Sequence, residues 1–86
     1  MKGEIIMNER TIIPDTIYRH FKGGYYSIQS LATLESTGEE VVVYKSFQDG
    51  RVWVRTLTSF NSLVPEGKEN PTGQKFRFEQ VTYEWA

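Results

Sequence analysis

Hydrophobic and polar positions alternate along most of this chain with a period of two, the spacing of strands rather than helices. The clearest stretch runs from Glu40 to Leu57. Residues 40–47 read Glu-Val-Val-Val-Tyr-Lys-Ser-Phe, residues 48–51 Gln-Asp-Gly-Arg, and residues 52–57 Val-Trp-Val-Arg-Thr-Leu. Two runs rich in β-branched and aromatic residues around an Asp-Gly pair are a strong hairpin signal. With Asp49 and Gly50 as the central turn residues, Phe47 faces Val52, Ser46 faces Trp53 and Lys45 faces Val54. Tyr44 then faces Arg55, and Val42 faces Leu57. Alternation puts Val43, Lys45, Phe47, Val52 and Val54 on one face, and Val42, Tyr44, Trp53, Arg55 and Leu57 on the other. Both faces are partly apolar, so the pattern places this hairpin in the middle of a curled sheet.

The same reading extends to the rest of the chain. Thr16 to Phe21 has strand character, and Lys22-Gly23-Gly24 is a turn. Tyr25 to Leu34 is a second, bent strand with Tyr26, Ile28, Ser30, Ala32 and Leu34 on one face. A turn-rich segment from Glu35 to Glu39 leads into the hairpin. After it, Phe60, Leu63 and Val64 lie at helical spacing behind a cap at Thr58 or Ser59. That predicts one short helical turn closing the open end of the sheet. Residues 65–73 form a Pro- and Gly-rich loop. Gln74 to Val81 alternates Phe76, Phe78 and Gln80 against Lys75, Arg77 and Glu79, as a half-exposed last strand does. About five short strands and one helical turn make an all-β domain, curled into a small barrel that hides its edges.

Residues 1–15 keep neither period and read as an N-terminal arm. Residues 16–81 are the barrel domain. Residues 82–86 form a short tail carrying Tyr83 and Trp85.

Composition narrows the function classes. At 86 residues the chain holds one small domain, and with 14% aromatics its core is built largely from rings. A net charge of −1 argues against a broad basic face, so general nucleic-acid binding is not expected. There is no cysteine, which removes disulfides, thiolate chemistry and Cys-based zinc sites, and fits a cytoplasmic setting. No apolar run is long enough for a signal peptide or a membrane span, so no membrane partner is expected.

Several boxes stand in order along the chain: Tyr18-Arg19-His20-Phe21-Lys22-Gly23, then Tyr25-Tyr26, then Gly38-Glu39-Glu40 before Val42-Val43-Tyr44. Val52-Trp53-Val54-Arg55 and Phe60 follow, with a weaker echo at Phe76-Arg77-Phe78. This arrangement resembles a small bacterial family catalogued as a domain of unknown function, number sixteen fifty-three. The resemblance covers Tyr18 to Phe60 and implies an SH3-like barrel with no established activity. Two departures stand out. The family usually has Pro after Trp-Val-Arg, where this chain has Thr56, and its hairpin turn is usually a longer Gly-Asp-rich loop.

The residues able to carry chemistry are few. His20 is the only histidine, and imidazole titrates near neutral pH. A lone His on a strand among aromatics is more often a hydrogen-bonded packing residue than an acid or base. No Gly-x-Ser-x-Gly nucleophile motif is present. One His with scattered carboxylates gives no metal-ligand spacing, so neither metal nor cofactor is expected. Gly23-Gly24 lacks the spacing of a phosphate loop. Glu39 and Glu40 are adjacent in a strand and point to opposite faces. Arg19, Lys22 and Arg55 are of more interest. An Arg beside Trp53 and Tyr44 can stack on a ring or fork onto a carboxylate or phosphate. It can equally form an internal ion pair with Glu40 or Asp15.

The expected function is therefore a binding module for an anionic or aromatic ligand, such as a peptide or a nucleotide-like group. Its surface would be made by Tyr18, Arg19, His20, Lys22, Tyr44, Trp53 and Arg55. One alternative is a small enzyme using His20 as acid or base. Another is an assembly protein whose N-terminal arm and Tyr83/Trp85 tail build a homo-oligomer.

Overall fold

The computed structural model describes residues 11–81. The expectations placed on residues 1–10, and on Tyr83 and Trp85, lie outside the described residues. The elements are β1 (Ile17–His20), β2 (Tyr25–Thr33), β3 (Glu40–Ser46), β4 (Val52–Thr56), α1 (Leu57–Phe60) and β5 (Phe78–Gln80). All five strands pair antiparallel in one sheet of order β4-β3-β2-β1-β5. The fold is the expected small, barrel-like all-β domain with one helical turn before the last strand. No described helix is long and apolar enough to cross a membrane.

Two of the hairpin loops, β3–β4 and β2–β3, share one solution. Ser46 N–H donates to the Arg51 carbonyl at 2.9 Å, and Gly50 N–H donates back to the Ser46 carbonyl at 2.9 Å. Leu34 N–H donates to Glu39 O and Gly38 N–H to Leu34 O, both at 2.7 Å. Each loop therefore has four residues, Phe47 to Gly50 and Glu35 to Gly38, and ends on a left-handed residue. Gly50 has φ 73° and Gly38 φ 81°, a conformation that a side chain would strain. The Asp49 carboxylate accepts from Arg51 N–H at 2.9 Å and Ser46 Oγ from Gln48 N–H at 3.1 Å, which fix the longer turn.

A four-residue loop corrects the expected register. Lys45 faces Val52, Tyr44 faces Trp53, Val43 faces Val54, Val42 faces Arg55 and Val41 faces Thr56. The slip relative to a two-residue turn is two positions. Because strand alternation also has period two, every residue keeps its face. The hairpin is also not central: β4 is the outermost strand. That explains why Val52 and Val54 stay more than half exposed.

A bulge at Gln29 corrects the second strand. Ile28 faces Tyr44, but Leu31 faces Val42. The face shared by Tyr26 and Ile28 thus continues through Leu31, not through Ser30 and Ala32.

One cluster of Ile12, Tyr18, Ile28, Val42, Tyr44, Phe60 and Phe78 forms the core, with Tyr26 and Leu57 against it. Phe60 and Phe78 lie face to face, centroids 4.1 Å apart and planes within 7°. Tyr44 meets both edge-on, at 5.4 and 5.3 Å. The edge-to-face contacts match the positive ring edge to the negative face. Thr56 caps α1, its Oγ1 accepting from Ser59 N–H at 3.2 Å. The cap therefore comes earlier in the chain than the expected Thr58 or Ser59.

The last strand is shorter than its alternation implied. The Glu79 carboxylate accepts from both Lys75 and Phe76 N–H at 3.0 Å, bending the chain before Phe78. Phe76 instead bridges to Leu63. Gln74 is a buried clamp rather than a strand residue. Its Nε2 donates to Arg19 O and Phe76 O, and its Oε1 accepts from Arg19 Nε at 2.6 Å.

Truncating the central ring should be costly. Phe60→Ala is expected to lower unfolding free energy by about 3–5 kcal/mol, the range for a buried Phe. Phe47→Ala, at an exposed loop position, should change it by less than about 1 kcal/mol. Urea denaturation of the two variants checks both values.

Candidate functional site

The hairpin faces decide what meets what. Trp53 and Arg55 lie on the same face of β4, Tyr44 stands opposite Trp53 on β3, and Tyr26 comes from β2. His20 ends β1, paired with Phe78 on β5. Four strands and the start of the fifth thus converge, and His20, Tyr26, Tyr44, Trp53, Arg55 and Phe78 line one open cavity of about 190 Å³.

Arg55 is held in place from two sides. Its Nε donates to the Tyr44 hydroxyl at 3.2 Å, and an Nη donates to Ser59 Oγ at 3.0 Å. Its guanidinium also lies 5.6 Å from the Phe78 ring centre. Ser59 belongs to α1, so the helical turn serves the site as well as closing the sheet. The internal ion pair with Glu40 or Asp15 does not form. Among the described residues no carboxylate pairs with Arg55 or with Arg77, whose Nε donates to Ser62 Oγ at 3.1 Å.

His20 packs between Phe21, at 4.5 Å, and Phe78, at 4.8 Å. Its Nδ1 accepts from Lys22 N–H at 3.1 Å. Burial, and then the positive charges of Arg55, Arg77 and Lys22, lower its pKa from 6.5 to about 4. At neutral pH it is an uncharged imidazole, and accepting at Nδ1 leaves its proton on Nε2. Burial raises the Tyr26 hydroxyl, with the charges of Tyr44 and Asp49 adding to it and Arg55 opposing. Burial and then Arg55 lower the Arg77 guanidinium. Burial is the first cause of all three shifts, and at His20 the positive charges of Arg55, Arg77 and Lys22 add to it in a ring-lined recess. Such a recess favours an incoming anion. As an acid or base His20 is poorly tuned, since neither form is balanced near neutral pH.

The seven predicted site residues divide. His20, Tyr44, Trp53 and Arg55 come together. Tyr18 is 2% exposed and meets Phe60 edge-on in the core. Arg19 is tied to Gln74. Lys22 lies over the Phe21 ring and lines two neighbouring recesses, one with Gly23, Gly24, Tyr25, Phe47 and Gln48, the other with Gly67, Lys68, Glu69 and Pro71. Sequence reasoning missed Tyr26 and Phe78. The signal was the Phe76-Arg77-Phe78 echo, which alternation alone read as an ordinary amphipathic strand. Among the described residues no group of three metal-ligating side chains is assembled.

A family model described as "Protein of unknown function (DUF1653)" matches residues 16–80. No curated protein and no solved structure matches the chain.

The depressed His20 pKa predicts a definite pH response. The unfolded chain takes up the imidazole proton near pH 6.5 and the folded one only near 4. Stability contributed by neutral His20 is therefore present above 6.5 and lost as pH falls toward 4. His20→Asn keeps an acceptor near Nδ1 without titrating. Wild type should lose stability relative to His20→Asn across that window and run parallel to it above neutral pH. Urea melts of both proteins over the pH range give the comparison.

Proposed function

This chain belongs to the DUF1653 family of proteins of unknown function, and on that footing we propose that it is a small, non-catalytic binding module that holds an anionic group in the ring-lined recess. The observation that carries the reading is Arg55, oriented by two hydroxyls in a recess it shares with a neutral imidazole, with no described carboxylate paired to it or to Arg77. A partly buried Arg is normally paired. Here the hydroxyls orient the charge without neutralising it, and an incoming carboxylate or phosphate would do so. Trp53 and Tyr26 supply flat apolar surface for the carrier of that anion, and the uncharged Nε2–H of His20 supplies a donor. A chain free of cysteine suits this role in a bacterial cytoplasm.

Two probes test this. Inorganic phosphate and N-acetylglutamate are each titrated into the protein while the His20 ring and Trp53 indole resonances are followed by NMR. A bound anion offsets the three cations, so the His20 pKa should climb from about 4 toward its ordinary value. Arg55→Gln should weaken binding about tenfold or more, the loss of one charge-assisted bond. Resonances unmoved by either anion would sink the reading.

A further inference from the structure

Among the described residues β4 is an outer strand of the sheet, paired on one side only. Its free side can be read from the ladder. Ser46 bonds to Arg51, so bonded pairs continue at Tyr44/Trp53 and Val42/Arg55. The opposite ladder agrees: Phe47 N–H bonds to Tyr25 O, which turns Lys45 toward β2 and Tyr44 toward β4. The N–H and C=O of Val52 and Val54 therefore point away from the sheet. Among the described residues neither makes a backbone bond outside the strand ladders.

This edge lacks several of the usual protections. Val52 to Thr56 contains no Pro, Lys or bulge, while Val52 and Val54 are 53% and 59% exposed. It also adjoins the recess: Trp53 and Arg55 stand on its other face, and both line the cavity. The guanidinium of Arg51 lies 5.5 Å from the Trp53 ring centre, adding charge at the same edge.

We infer that β4 is a docking edge, where an extended acidic segment of a partner protein adds a strand and delivers a carboxylate to Arg55. The inference rests on the anion-binding reading above and names its partner class. A segment bonded to Val52 and Val54 would face Trp53 and Arg55 in the non-bonded register, where side chains across a sheet lie closest. Its residues on that face reach over the recess, and its residues on the other face cover Val52 and Val54. The recognised pattern is an alternation of apolar and acidic residues. Backbone bonds supply affinity and the alternate side chains supply specificity. The choice of an acidic segment follows from charge complementarity with Arg51, Arg55 and Arg77.

The probe is a capped octapeptide of alternating Val and Glu. Three controls are its Val-Gln counterpart, a Val-Glu peptide N-methylated at alternate residues, and the variant Val54→Pro. Proline there removes only an outward N–H, so the β3 ladder survives. Binding of the octapeptide should slow amide exchange at Val52 and Val54 and leave Trp53 and Arg55 unchanged. N-methylation, Glu-to-Gln replacement and Val54→Pro should each weaken binding at least tenfold. If Val54→Pro proves unfolded, the N-methylated peptide decides on the native protein. Equal binding by the N-methylated peptide would overturn strand addition, and the anion reading survives if N-acetylglutamate still moves His20. Equal binding by the Val-Gln peptide would overturn the acidic partner. Protection of Val52 and Val54 that rises with protein concentration, without peptide, would assign the edge to a second copy of this chain.

Discussion

Everything in this fold leans on the stack of Phe60 on Phe78. The two rings come from α1 and β5, elements that make no backbone ladder with each other. Both are almost fully buried, and Tyr44 from β3 closes on them edge-first. A domain this small buries a modest share of its surface, so a few large rings must carry much of the apolar burial. The outer side of the same stack is the recess. Phe78 is at once core and wall, touched by His20, Tyr26 and the Arg55 guanidinium. Stability and the candidate site are thus built from one ring.

The electrostatics follow from that placement. A sheet that ends its core in aromatic rings offers few acceptors to a cation lying on top. Arg55 finds two hydroxyls and a ring face, and Arg77 finds a hydroxyl and the Phe21 ring. Neither contact cancels charge. His20 stays neutral well below its ordinary pKa, through burial first and these neighbouring charges second. With a net charge of only −1, the chain as a whole gives no hint of this local excess.

The edge at β4 and the recess are two sides of one short strand. Alternation sends Val52 and Val54 to one face and Trp53 and Arg55 to the other, while the outward backbone groups belong to the two valines. Shape, charge and free hydrogen-bonding capacity therefore meet within five residues. An edge with this much apolar exposure is a liability unless something uses it.

The letters alone determined where the first four strands lie and the faces of the β3–β4 hairpin. Period two fixed these, and it protected them: a slip of two in register leaves every side chain on its side. They also brought His20, Tyr44, Trp53 and Arg55 into one candidate group, because three of the four share a hairpin face. Tertiary structure decided what depends on distance along the chain. The loop length came from side-chain bonds made by Asp49 and Ser46, the β2 faces from one bulge, and the break before β5 from a Glu79 carboxylate bonding back to its own backbone. Burial moved Tyr18 inward and gave Arg19 to Gln74, while Phe78 joined the site only because the last strand pairs with the first. Local periodicity records which way a side chain points; which cations gather without a counter-charge is set by packing between segments far apart in sequence.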